Sequence, residues 1–146
     1  MTFTMRSSPG YLVNHLGRLF AAELQARIRP LGLSVGVFPL MLQLWERDGL
    51  TQRELVDRLG LEQATVANTL SRMARDGLIV RRGDPHDGRI ARSWLTERGR
   101  ALRAPAVAAA EEVNAAALSG LSERERDAFV QLMQKTIAQF EGNAAG

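Results

Sequence analysis

The sequence predicts a mainly α-helical chain that carries one small β-hairpin. Three observations lead there. Aliphatic residues recur at helical spacing along most of the 146 residues; aromatics supply only 5% of the chain against a hydrophobic total of 45%, so the core must be built from Leu, Val, Ile, Met and Ala. Two capping boxes, Thr51-Gln52-Arg53-Glu54 and Ser122-Glu123-Arg124-Glu125, mark helix starts, because hydroxyl and carboxylate can each satisfy a free N–H of the other's residue. One dense run of turn formers, Gly83-Asp84-Pro85-His86-Asp87-Gly88, separates two short stretches that read as strands.

Taken in order, residues 1–9 form a tail ending at Pro9, and a first helix runs from Tyr11 to Arg29 with Leu12, Leu16, Leu19, Phe20 and Leu24 on one face. Pro30 and Gly32 end it. Ser34 is placed to cap a second helix reaching Arg47, with Val35, Phe38, Leu42 and Trp45 as its apolar members and Pro39 tolerated in its first turns. The third helix opens at Thr51, buries Leu55, Val56 and Leu59, and stops at Gly60, where the chain needs a left-handed backbone. The fourth runs from about Glu62 to Arg75, with Val66, Leu70 and Met73 buried, and ends at Gly77. Strands follow at 78–82 and 89–95. Thr96 caps a helix that continues through an Ala-rich stretch to Leu118, and the last helix, after the Ser122 box, carries Phe129, Leu132, Met133, Ile137 and Phe140. The expected organisation is an N-terminal helical segment (1–34), a central segment (35–96) and C-terminal helices (97–146).

Composition excludes several classes of activity. There are no cysteines, so disulfides, thiolate zinc sites and thiol redox sensing are out. No apolar run reaches the roughly 18 residues of a membrane span, and residues 1–8 lack the apolar core of a signal peptide, so the expectation is a soluble cytoplasmic protein with no membrane partner. Only His15 and His86 offer imidazoles, and no phosphate loop, dinucleotide fingerprint or Gly-x-Ser-x-Gly appears; no catalytic residue, cofactor or metal is expected. Asp84, His86 and Asp87 superficially resemble a metal cluster, but on so tight a turn they serve to shape it. Of 19 basic residues all but Lys135 are arginines; part of that excess reads as a compositional bias toward Arg and Ala. Their placement says more: residues 1–45 carry net +3 and 46–103 net +3, whereas 104–146 carry net −3.

The informative stretch is 51–95, which reads helix, glycine turn, helix, strand, turn, strand. A braced pair of helices followed by a hairpin is the order of a winged helix-turn-helix, in which the second helix enters the DNA major groove. The face of that helix not claimed by the core is Gln63, Ala64, Thr65, Asn68, Thr69 and Arg72, which is small, polar and free of acid. Gln and Asn can pair with adenine edges and Thr can touch a thymine methyl. A solvated surface helix is the plainer reading of a polar face, but such faces usually carry Glu and Lys pairs. The hairpin gathers Arg81, Arg82, Arg89 and Arg92, and Asp87 is spaced to hold the Arg89 guanidinium. An arginine at a wing tip suits a narrow, strongly negative minor groove. The competing reading is a helical interaction protein that uses its hairpin for protein contacts.

These residues resemble the MarR family of bacterial regulators. The resemblance rests on Leu50-Thr51-Gln52-Arg53-Glu54-Leu55, on Leu70-Ser71-Arg72-Met73 followed by Gly77-Leu78-Ile79, and above all on Asp84-Pro85-His86-Asp87-Gly88-Arg89 leading to Leu95-Thr96-Glu97-Arg98-Gly99. It implies a sequence-specific, double-stranded-DNA-binding transcription regulator, acting as a repressor and as a homodimer on a pseudo-palindromic operator, with the outer helices 11–30, 97–118 and 123–141 interlocking two copies. By the same resemblance Arg89 reaches the minor groove and Asp87 orients it; Arg82, one of the arginines crowded on the hairpin, joins the DNA-contacting set. Arginine is frequent in the family at the positions of Asn68 and Gly88. The family's usual effector is a small aromatic or phenolic molecule, for which Tyr11, His15, Arg18, Phe38, Met41 and Trp45 are the candidate lining here; each has an ordinary reading as a core or interface side chain.

Overall fold

The computed structural model describes residues 2–145, with side chains described to residue 142. Helix α1 (Pro9–Ile28) starts two residues before the expected Tyr11. Ser8 caps it by accepting the Tyr11 N–H at 3.4 Å, and Pro9 takes the first-turn position where a missing N–H costs nothing. The second helix starts later than expected. Ser34 does not cap it; residues 34–37 form a turn closed by Val37 N–H to the Ser34 carbonyl at 3.2 Å, and α2 (Phe38–Glu46) begins where Pro39 fits its first turn. Gln25 of α1 holds that turn, accepting the Val35 N–H at 3.0 Å and donating to the Leu33 carbonyl at 3.4 Å.

Two-residue strand β1 (Leu50–Thr51), which the sequence pattern did not announce, leads into α3 (Gln52–Leu59). Both bonds of the Thr51–Glu54 capping box are present, at 3.1 and 3.2 Å. Gly60 sits at φ 65°, which a residue without Cβ adopts at little cost, and turns the chain into α4 (Gln63–Arg75). Strands β2 (Ile79–Gly83) and β3 (Ala91–Leu95) form the hairpin, and β1 pairs with the other side of β3, giving an antiparallel sheet of order β1-β3-β2. Ile79 lies opposite Leu95, Val80 opposite Trp94, and Arg92 lies between Arg82 and Thr51. The indole of Trp94 covers Gly49, where any Cβ would lie within 2.5–2.7 Å of the ring.

The chain divides into two units, residues 1–110 and 111–146. In the first, Leu55 of α3 and Val66, Leu70 and Met73 of α4 are completely buried, packed with Leu40, Met41 and Leu44 of α2 and with Leu78, Ile79 and Leu95 at the hairpin base. Burying each such side chain contributes about 1.5–3 kcal/mol, so this cluster fixes the helix pair to the hairpin. Val56 and Leu59, expected in the core, are only half-buried at its edge. The helix expected over 97–118 is two: α5 (Glu97–Ala101) and α6 (Arg103–Ala117), broken at Leu102. Ala106 and Ala109 are buried, which fits the reading of the Ala-rich stretch as a close-packing helix. In the second unit the Ser122–Glu125 box forms as expected, with bonds of 2.8 and 3.1 Å, and opens α7 (Glu123–Ala145). Arg126 ties the preceding turn by donating to the Leu118 and Leu121 carbonyls.

The motif at 95–99 is now explained by geometry. The Thr96 hydroxyl donates to the Gly77 carbonyl at 2.7 Å and accepts the Gly99 N–H at 3.0 Å, capping α5 while holding the end of α4. A Cβ on Gly99 would lie 2.2 Å from the Leu78 carbonyl oxygen, so only glycine allows that approach. The Gly99 carbonyl in turn accepts the Trp45 indole N–H at 2.8 Å. These residues join hairpin, α4 and α2.

Candidate nucleic-acid interface

The outward face of α4 presents Gln63, Ala64, Thr65, Asn68 and Arg72, all exposed. The helix turns through 3.6 residues, so Val66, Leu70 and Met73 fall on the opposite side and anchor it. Thr69 belongs with the buried side. It is 4% exposed, and its hydroxyl donates to the Thr65 carbonyl at 2.7 Å, so the expectation that grouped it with the outward set is corrected by its position beside Leu70 and Met73. Arg72 reaches toward the turn before α2: a Cβ at Gly36 would meet its guanidinium nitrogens at 3.9 and 4.0 Å.

The hairpin turn is shaped by two aspartates. Asp84 accepts the N–H groups of His86 and Asp87 at 2.7 and 3.1 Å, folding the tip back, while the Asp84 N–H donates to the Ile90 carbonyl at 2.8 Å. Asp87 accepts the Arg89 N–H at 3.0 Å and its Nε at 3.2 Å, with the second carboxylate oxygen 3.4 Å from an Arg89 terminal nitrogen. The Arg89 side chain stays 91% exposed, held at its root and open at its end. Arg89's hydrogen bond holds the Asp87 carboxyl below the usual carboxylate range, and that of Arg92 does the same for Asp84. Arg81 and Arg82 are exposed on β2. Arg92 differs: its Nε donates to Asp84 at 2.7 Å and a terminal nitrogen donates to the Gly49 carbonyl at 3.0 Å and to Glu54 at 3.3 Å.

Sequence reasoning missed one residue that positions this surface. Asp48 accepts the Leu95 and Gly49 N–H groups, at 2.9 and 3.0 Å, and so ties the base of β3 to the loop before β1. Its partner lies 47 residues away, and no local spacing signals it.

The six residues considered for an effector fall into two groups. Tyr11 and His15 meet ring to ring at 6.0 Å on α1, where His15 and Arg18 are exposed. Phe38 and Met41 lie in the core, and Trp45 packs its ring edge-on against Phe38 at 6.1 Å. Among the described residues no group of three or more His, Asp or Glu gathers as a metal site, and no helix is long and apolar enough to cross a membrane.

Comparison with known proteins agrees with this geometry. Residues 31–90 match the model of the MarR family. The transcriptional regulator HosA of Escherichia coli O111:H- is 33% identical over 100 residues, 68% of this chain and 74% of HosA. The HTH-type transcriptional repressor Rv2887 of Mycobacterium tuberculosis is 28% identical over 126 residues, covering 86% of this chain and 91% of the repressor. A MarR-family regulator of Listeria monocytogenes, solved as a complex with a 26mer DNA, has the same fold, with a TM-score of 0.82 over 98% of this chain and 92% of that one at 22% identity. With its capping box, its polar α4 face and its aspartate-held wing arginine, the chain belongs to the MarR family of winged helix-turn-helix transcriptional regulators and is not an enzyme.

Proposed function

We propose that this regulator binds a pseudo-palindromic operator as a homodimer and represses transcription, with residues 35–96 reading the DNA and residues 1–34 and 97–146 pairing two copies. One observation carries the DNA reading: the acid-free exposed face of α4 is followed by a wing whose Arg89 is rooted on Asp87 yet 91% exposed. Gln63, Ala64, Thr65, Asn68 and Arg72 face the major groove, and Arg89 reaches the minor groove with Arg82 on the adjoining phosphates. Pairing is supported by apolar side chains left in water. Val130, Met133, Ile137 and Phe140 repeat at spacings of 3, 4 and 3 along α7 and are 39–75% exposed. Leu12, Val13 and Leu19 are similarly exposed on α1. Contiguous exposed apolar faces are characteristic of interfaces. The name of Rv2887 as a repressor supports the sign of regulation.

A small aromatic or phenolic effector completes the proposal. Tyr11, His15, Arg18, Phe38, Met41 and Trp45 are its candidate lining, of which His15 and Arg18 are exposed and Phe38 and Met41 buried. The effector needs only to favour a dimer whose two α4 helices are wrongly spaced for DNA. The test is a fluorescence-anisotropy titration against DNA fragments from upstream of the regulator's own gene, at several salt concentrations. Tight, fragment-selective binding with a steep salt slope is expected. Weak binding, equal on genome-wide selected fragments, would overturn it in favour of a hairpin used for protein contacts.

A further inference from the structure

Resting on the DNA-binding reading, we propose that Arg92 is a positioning residue: it clamps the wing to the start of α3 and fixes the angle at which Arg89 is presented, without touching DNA itself. The geometry is that of a junction. Arg92 sits on the central strand, between Thr51 of β1 and Arg82 of β2. Its Nε reaches Asp84, whose other oxygen folds the wing tip by accepting the His86 and Asp87 N–H groups. A terminal nitrogen reaches the Gly49 carbonyl and Glu54, and the same Glu54 oxygen accepts the Thr51 N–H that closes the α3 cap. The carboxylate that shapes the wing and the carboxylate that starts α3 therefore meet on one guanidinium.

The other wing arginines lack this arrangement. The Arg92 side chain is 34% exposed, against 91% for Arg89. Its Nε and one terminal nitrogen are also already engaged within the protein, on two carboxylates and a backbone carbonyl. The planar fork matters as well, because a lysine ammonium is a single point and cannot present Nε and a terminal nitrogen in two fixed directions. The β1–β3 pairing beside it is only two residues long, so beyond the packed hairpin base Arg92 supplies a side-chain tie between the wing turn and α3.

The experiment compares full-length wild type, Arg92→Ala, Arg92→Lys, Asp84→Asn and Arg89→Ala by anisotropy across a salt series. A phosphate-contacting arginine, when removed, lowers the slope of log K against log salt by about one. For Arg92→Ala we expect affinity on the order of tenfold weaker with the wild-type slope. Arg92→Lys should recover only part of the loss, and Asp84→Asn should add little on top of Arg92→Ala. Trypsin should also cut the free protein after Arg89 several times faster in Arg92→Ala and Asp84→Asn, a readout that needs no DNA. A slope lowered by one, unchanged affinity, or strictly additive losses would overturn the clamp. Should Arg92→Ala fail to fold by circular dichroism, Arg92→Lys and Asp84→Asn carry the same comparison. If wild type itself selects no DNA, the operator reading fails, and the trypsin rates still decide whether the clamp exists.

Discussion

Helices α4 and α7 repeat apolar residues at the same three-and-four spacing and meet opposite fates. In α4, Val66, Leu70 and Met73 are completely buried, because α2, α3 and the hairpin base surround them. In α7, Val130, Met133, Ile137 and Phe140 hold an equivalent stripe, yet Phe140 is 75% and Ile137 55% exposed. Periodicity therefore says which face of a helix is apolar and nothing about what covers it. An apolar stripe covered within the chain stabilises folding; one left open favours association with another molecule.

Five substitutions or conditions can break or sharpen that contrast. The largest effect belongs to the covered core: Leu55→Ala should cost about 2–5 kcal/mol, read as a lower denaturation midpoint. Phe140→Ala with Ile137→Ala should leave the folding of the isolated chain nearly unchanged and shift sedimentation toward monomer; an unshifted sedimentation profile would show that α7 pairs with nothing. Next is Gly99→Ala, whose methyl would drive into the Leu78 carbonyl, with an expected cost of about 1–3 kcal/mol in thermal melts. Arg89→Ala should weaken operator binding by about 1–3 kcal/mol while stability and oligomeric state stay at wild-type values, because its guanidinium bonds Asp87 within the same turn and its side chain is 91% exposed. The smallest effect is on pH. Asp84 and Asp87 have carboxyls lowered in the folded state, so the stability they add is present above their unfolded value near pH 4 and lost as pH falls through the lowered values. Asp84→Asn should flatten that acid limb in pH-dependent melts, and an unchanged limb would show that the wing turn forms without its carboxylate.

The parts of the fold legible in the sequence are those whose causes are local. Thr51 and Glu54, Ser122 and Glu125, Gly60 and Thr96 act within four residues, and their bonds form as their spacing says. The start of α2 was misplaced because Ser34 has the chemistry of a cap while the backbone at 34–37 is committed to a turn held by Gln25. The break at Leu102 does have a residue signature: Pro105 has no N–H to give the Ala101 carbonyl four residues back, so it fits only the first turn of a new helix. Strand β1 is too short to show alternation. In the candidate interface the α4 face and the Asp87–Arg89 spacing were readable. The burial of Thr69 was not, because the edge of a helical face depends on what packs there. Asp48 with Leu95, Arg92 with Glu54 and Trp45 with Gly99 join residues 38–54 positions apart, and only the folded chain brings them together.

Trp94 lies over Gly49 on the same strand as Arg92 and is 38% exposed, whereas the chain's other tryptophan, Trp45, has its indole N–H bonded to the Gly99 carbonyl. The two indoles sit in different surroundings, one at the foot of the wing and one among α2 and α5. Their emission spectra should therefore separate, the half-exposed indole shining at the longer wavelength. The regulator carries a built-in optical label on its one hairpin, so a change in the surroundings of the wing's foot can be followed with no dye attached.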